Sequence, residues 1–261
     1  MGANPIRIAI LDMYDGAANI GLRCLHNIIK DWESEHHLNT ETIVFNTRGA
    51  CEIPDDNFNI YLCTGGPGSP LNSVTEKWDL LFTQWLEHIY AINKPVFLIC
   101  HSFQIACRHF DLGTVCLRKS RQLGILPVHT LVEDDLFKEL QETFYALESR
   151  VYQIIAPNDA KIKLMNAQIM ALEKMRPEVP LERAIMAMRF SKNMYGVQFH
   201  PEAELNELIV YFQDPATKQS IINEFGIEKW NRIMDHLDEN SPIISTYSHL
   251  IPNFLDKAII K

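Results

Sequence analysis

With 261 residues, 47% of them apolar and 10% aromatic, the chain is long enough for one large α/β domain or a domain plus an appendage. Its 24 basic and 33 acidic residues leave a formal charge of −9, which argues against nucleic acid or an anionic membrane surface as a partner. Six cysteines without a CxxC pair are no disulfide framework, so a reducing, cytoplasmic setting is expected. The start Met1-Gly2-Ala3-Asn4-Pro5-Ile6 lacks the charged and apolar regions of a signal peptide, and Ile6 sits where a myristoylation signal wants Ser or Thr. No apolar run exceeds strand length, so no membrane span is expected.

Residues 7–11 read as a buried strand, and Ile20, Cys24, Ile28 and Trp32 then recur at helical spacing. Strands follow at 42–45 and 59–63. Between 76 and 90, Leu81, Trp85 and Ile89 share a helix face, and 95–99 is a continuous apolar strand of the kind covered on both sides. This alternation predicts βαβ units in an open, mostly parallel sheet flanked by helices. Strands are expected at 123–132, 143–147 and 151–156, then a Met- and Leu-rich helix within 161–180, then strands at 183–190 and 195–199. From 205 onward the signals are helical, at 206–212, 216–225, 228–237 and 247–260, punctuated by Pro215, Gly226 and Pro242. The expected division is a main domain over 1–204 with a helical C-terminal extension, 205–261, packed on it.

Three segments carry chemistry. The strand 96–99 runs directly into Cys100, and Phe103, Ala106, Cys107 and Phe110 then fall on one helix face. Cys100 therefore stands at a sharp strand-to-helix turn, where a helix N-terminus favours a thiolate. The plainer alternative is a small buried hydrophobe. In Tyr195-Gly196-Val197-Gln198-Phe199-His200-Pro201-Glu202 a strand ends in a histidine and a carboxylate held by an intervening proline, a base and its orienting group. The alternative there is a strand-end histidine and a solvated glutamate. Cys63-Thr64-Gly65-Gly66-Pro67-Gly68-Ser69-Pro70 is too glycine-dense for an ordinary turn and matches no phosphate loop, which favours an oxyanion-hole loop over a plain turn.

In this order and spacing the segments resemble class I glutamine amidotransferase domains, over roughly residues 6 to 204. The resemblance implies a flavodoxin-like sheet and a triad of Cys100 as nucleophile, His200 as base and Glu202 as its orienting group. It places the oxyanion donors on the backbone N–H groups of Gly66 and His101, and a substrate contact at Gln104. Two departures stand out. The family's Gly-x-Cys-x-Gly elbow has Leu98 and Ser102 at its glycine positions, and Leu98 is expected to reshape the pocket. The substrate-recognition loop Ser-His-x-Asp is matched by Ser149-Arg150-Val151-Tyr152, so Ser149 and Arg150 become the candidates for substrate contact.

Cys100, His101, Cys107 and His109 fit no zinc spacing, and no metal or organic cofactor is expected. His36-His37 and the acidic groups at 133–135 and 235–239 read as solvated, and the methionines between 165 and 188 as core filler. The implied reaction is hydrolysis of glutamine's side-chain amide through a cysteine thioester, with ammonia passed to an acceptor or a separate synthetase subunit. The rival readings are a γ-glutamyl hydrolase or amino-acid acyltransferase using the same triad, or a non-catalytic relative that binds or regulates.

Overall fold

Short apolar runs in the first hundred residues pair side by side in the computed structural model, which describes residues 4–17, 19–178 and 180–259. The Met1–Ala3 start, Val179 and the expected helix end at Ile260 lie outside the described residues. In chain order the elements are β1 (Ile6–Asp12), α1 (Ile20–His36), β2 (Thr40–Asn46), the single turn α2 (Thr47–Ala50), β3 (Ile60–Cys63), α3 (Lys77–Ala91), β4 (Val96–Ile99) and α4 (His101–His109). There follow β5 (Thr114–Thr130), β6 (Thr143–Ile155), α5 (Asp159–Met165), β7 (Gln168–Glu173), β8 (Ile185–Arg189) and β9 (Met194–Val197). The chain closes with α6 (Leu205–Gln213), α7 (Pro215–Phe225), α8 (Ile227–Met234) and α9 (Ile243–Ile259).

The strands form one open sheet in the order β2-β1-β3-β4-β9-β8-β7-β5-β6. Its first five members are mutually parallel. Every pairing from β9 through β8, β7 and β5 to β6 is antiparallel. The order reverses between β1 and β3, and the carboxyl ends of parallel strands around such a switch point open into a ligand-binding crevice.

Side-chain alternation along the parallel strands sends neighbouring residues to opposite faces. Ile8, Ile10 and Phe97 face one layer with Trp32 of α1 and Phe254 and Leu255 of α9. Ala9, Leu11 and Leu98 face the other, with Phe82 and Trp85 of α3 and Phe103 of α4. The last helix thus shares a core with the first strands: Phe254 meets Phe97 at 5.1 Å between ring centroids, and Trp32 Nε1 donates to Asp256 Oδ1 at 2.8 Å. A third cluster packs α6, α7 and α8, through Leu208, Phe212, Ile221 and Ile233, onto Leu123 and Ile125 of β5.

The middle of the chain corrects several expectations. β5 begins at Thr114, not 123, and bulges between Leu117 and Gln122, where the polar run Arg118-Lys119-Ser120-Arg121 hid the strand pattern. The two strands expected at 143–147 and 151–156 are one, β6, so Ser149–Tyr152 lies in a strand and not in a loop. The apparent break at Glu148 and Arg150 is a buried ion pair at 2.8 Å. Within 161–180 the helix is short and ends at Met165; the apolar run Ile169–Leu172 forms β7 instead. Met170, Met186 and Met188 are core residues, but Met175 is exposed. Of the acidic groups, Asp134 is not solvated; its carboxylate takes Lys257 at 3.1 Å and Arg189 at 3.5 Å. His36 belongs to α1 and meets Asp256 at 3.2 Å.

Candidate active site

β4 ends at Ile99 and α4 begins at His101, leaving Cys100 alone to make the turn. It does so at φ 49° and ψ −94°, a positive-φ conformation that costs a non-glycine residue about 1–3 kcal/mol. The surroundings hold it there. Its N–H donates to Val197 O at 2.8 Å, and its carbonyl accepts from Gln104 N–H at 2.9 Å. Ser102 Oγ accepts from Ile99 N–H at 2.9 Å and lies 3.0 Å from the carbonyls of Cys63 and Ile99, one of which takes its proton. The serine at a position where the related elbow has glycine therefore ties β3, β4 and α4 together.

Leu98 does not reshape the pocket, contrary to expectation. It is fully buried in the opposite layer, paired across the sheet with Gly196. A Cβ on Gly196 would come within 2.5 Å of Phe103 and 3.3 Å of Leu98 Cβ. The glycine on β9 supplies the room that Leu98 occupies.

Beyond β9 the chain bends at Gln198 and Phe199, and His200 N–H donates to Leu147 O at 2.9 Å, fixing this segment against β6. His200 Nδ1 lies 2.8 Å from Glu202 Oε1, and the pair is buried. Burial of the ring opposes its protonation. The Glu202 carboxylate, then Cys100 through its charge and a side-chain hydrogen bond, outweigh that, and the imidazole pKa stands well above its ordinary value. Two stretches a hundred residues apart in sequence thus meet as sulfur, imidazole and carboxylate.

The glycine loop after β3 closes over this group. A Cβ on Gly65 would lie 2.8 Å from His200 Cε1 and 3.5 Å from Cys100 Cβ, so a bare backbone is what allows ring and sulfur to share the site. At Gly66 a side chain would run into the carbonyl oxygen of Met13. Burial, then the charges of Arg48 and Arg108, push the His101 imidazole pKa down to about 3, so the ring is uncharged at neutral pH. It packs beside the Trp78 ring. Gln104 Nε2 donates to Gln198 Oε1 at 3.1 Å, and Gln198 Nε2 points at Cys100 Sγ from 3.7 Å.

These groups open into a cavity of about 400 Å³ that holds Cys100, Gln104, His200 and Glu202 with Gly66 and His101. Ser149 and Arg150 also border it. The Arg150 guanidinium, however, is engaged by Glu148 at 2.8 Å and Glu173 at 3.6 Å. The remaining wall comes from Tyr14 and Asn19 after β1, Arg121 on β5, Tyr152 on β6, and Leu208 and Tyr211 on α6. Apart from Tyr152 none of these was singled out from sequence, nor was Gln198, although an amide within the apolar run 195–199 was a visible signal; it is fully buried. Cys24 borders the same cavity, but burial pushes its thiol up to about 11, so it is protonated at neutral pH. Among the described residues, no three His, Cys, Asp or Glu side chains are grouped to hold a metal ion, and no helix is long and apolar enough to cross a membrane.

Comparison with known proteins shows what the chain is similar to. The glutamine amidotransferase class-I family pattern matches residues 18–213, beyond the boundary expected at 204. A glutamine-hydrolyzing GMP synthase subunit from Pyrococcus abyssi is 26% identical over 179 residues, covering 67% of this chain and 84% of that protein. The corresponding protein of Thermococcus kodakarensis is 27% identical over 122 residues, 47% of this chain and 58% of that protein, less than two thirds of its length. A crystal structure of a glutamine amidotransferase from Thermotoga maritima superposes with a TM-score of 0.72 at 12% identity, covering 99% of this chain and all of that one, which establishes the shared fold. With the family pattern spanning most of its length and the cysteine, histidine and glutamate of the crevice inside it, the chain belongs to the class-I glutamine amidotransferase family.

Proposed function

We propose that the protein hydrolyses the side-chain amide of glutamine and releases ammonia to a separate synthetase subunit. His200, oriented by Glu202, takes the thiol proton of Cys100. The thiolate attacks the amide carbon, and the oxyanion that forms is held by the backbone N–H groups of Gly66 and His101. Such donors contribute about 3 kcal/mol each, and acid–base transfer adds roughly 10²–10⁴-fold. The C–N bond breaks as His200 returns its proton to the leaving nitrogen, giving ammonia and a γ-glutamyl thioester. Water, deprotonated by the same imidazole, then cleaves the thioester to glutamate and free thiol. Gln104, through Gln198, steadies the sulfur side of the site. No metal or organic cofactor enters this sequence.

The observation that carries the reading is the imidazole held between Cys100 and the Glu202 carboxylate, with its pKa raised by both. Relatives named as one subunit of a GMP synthase favour a partner chain as the ammonia consumer, and free thiols throughout favour a reducing, cytoplasmic setting. The test is acid-quenched mass spectrometry of the protein turning over glutamine. A Cys100 adduct equal in mass to glutamine less ammonia is expected. Turnover with the adduct on another residue, or a Cys100→Ser variant that still hydrolyses glutamine at the parent rate, overturns the assignment.

A further inference from the structure

A γ-glutamyl substrate brings a second feature to the pocket besides its amide: an α-carboxylate, whose planar pair of oxygens matches a guanidinium fork best among side chains. Four basic side chains border the cavity, Arg121, Arg150, His101 and His200. Three of them are committed. Arg150 is 1% exposed and neutralised by Glu148 and Glu173. His101 is uncharged at neutral pH. His200 is held by Glu202 and Cys100.

Arg121 differs from these three. It ends the bulge in β5, where the four residues 118–121 lie opposite Val151 alone, because Leu117 pairs with Tyr152 and Gln122 with Arg150. Bulges beside active sites re-aim a side chain. Here the bulge brings Arg121 alongside the segment Ser149–Tyr152, the strand that stands where related domains have their substrate-recognition loop. Its one ion pair among the described residues, Nη1 to Glu224 Oε2 of α7 at 2.9 Å, is between side chains 34% and 41% exposed. Pairs of that kind are weak and exchange readily for a better anion.

We infer that Arg121 grips the α-carboxylate of the bound substrate, leaving Glu224 to do so, and thereby restricts the site to free amino acids or γ-glutamyl compounds with an unblocked α-carboxylate. Glutamine inside a peptide, whose α-carboxyl is an amide, is refused. The inference rests on the glutaminase reading above and adds the residue that selects among amides.

The experiment compares glutamine with 4-aminobutanamide, which is glutamine without the α-carboxylate, in the parent protein and in Arg121→Gln and Arg121→Lys. Removing one charge-assisted hydrogen bond from binding corresponds to a rise in KM of about 10- to 100-fold. The parent is expected to prefer glutamine by that factor in kcat/KM. Arg121→Gln is expected to lose the preference through KM, with kcat within about threefold, and Arg121→Lys to regain part of it. An unchanged preference in Arg121→Gln overturns the inference while leaving glutamine hydrolysis intact. Absence of hydrolysis in the parent overturns the glutaminase reading instead. In that event calorimetric binding of L-glutamate, which keeps the same carboxylate, still decides the role of Arg121. Weaker binding to Arg121→Gln supports it, and equal binding, or none to either protein, contradicts it.

Discussion

In the parallel half of the sheet, β1, β3, β4 and β9 bury apolar side chains on both faces, and the reactive groups appear only where those strands end. The antiparallel half buries charge within its strands. Glu148 and Arg150 of β6 and Glu173 of β7 lie in the interior, with Arg118 of the β5 bulge closing the network at 2.9 Å from Glu173. Burial alone would raise the Glu173 carboxyl pKa; Arg150, then Arg118, outweigh it and hold the pKa below its usual range. One half is a rigid apolar platform that can carry a strained elbow. The other is a polar scaffold whose strands form the far wall of the same pocket. The site sits where they join, at the contact of His200 with Leu147.

Perturbing each half should separate these roles. The largest change in stability is expected from Arg150→Met, which strands Glu148 and Glu173 without their buried partner and costs about 3–5 kcal/mol in chemical denaturation. The Glu173 ion pairs stabilise the fold above the ordinary carboxylate range and lose that effect as pH falls through the depressed pKa, so the variant's deficit should shrink in acid. Gly65→Ala attacks the other side of the join. Its methyl group must displace the His200 ring, and a shift of that size lowers kcat by about 10²-fold while the fold persists. Ser102→Ala removes the hydroxyl that satisfies Ile99 N–H, for a loss of about 1–3 kcal/mol. At neutral pH the smallest effect is that of His101, and it grows in acid. Its depressed pKa means the unfolded chain binds its proton first, so stability declines from near pH 6.5 down toward about 3; His101→Phe should flatten that slope and keep the backbone N–H.

The same contrast explains what could be read from sequence. Apolar runs such as 96–99 and the residue types at their ends mark the parallel strands, the elbow at Cys100 and the histidine–glutamate pair. The antiparallel strands were cut short because Arg118, Glu148 and Arg150 break the apolar pattern; only in three dimensions do they neutralise one another inside. β7 was hidden because Ile169, Met170, Ala171 and Leu172 suit a helix as well as a strand. Leu98 reads as an intrusion in the sequence because Gly196, which gives it room, lies opposite it on a strand about a hundred residues away. Arg121 gave no local signal at all, because its place at the pocket depends on a bulge that exists only through pairing with β6.

The most direct test of the account is steady-state release of glutamate from glutamine by the parent protein and by Cys100→Ala, measured with both shown to be folded. Release by the parent and a loss of at least about 10³-fold in the variant are expected of a covalent nucleophile. Equal release by the two proteins would contradict a thiolate mechanism at the β4–α4 turn.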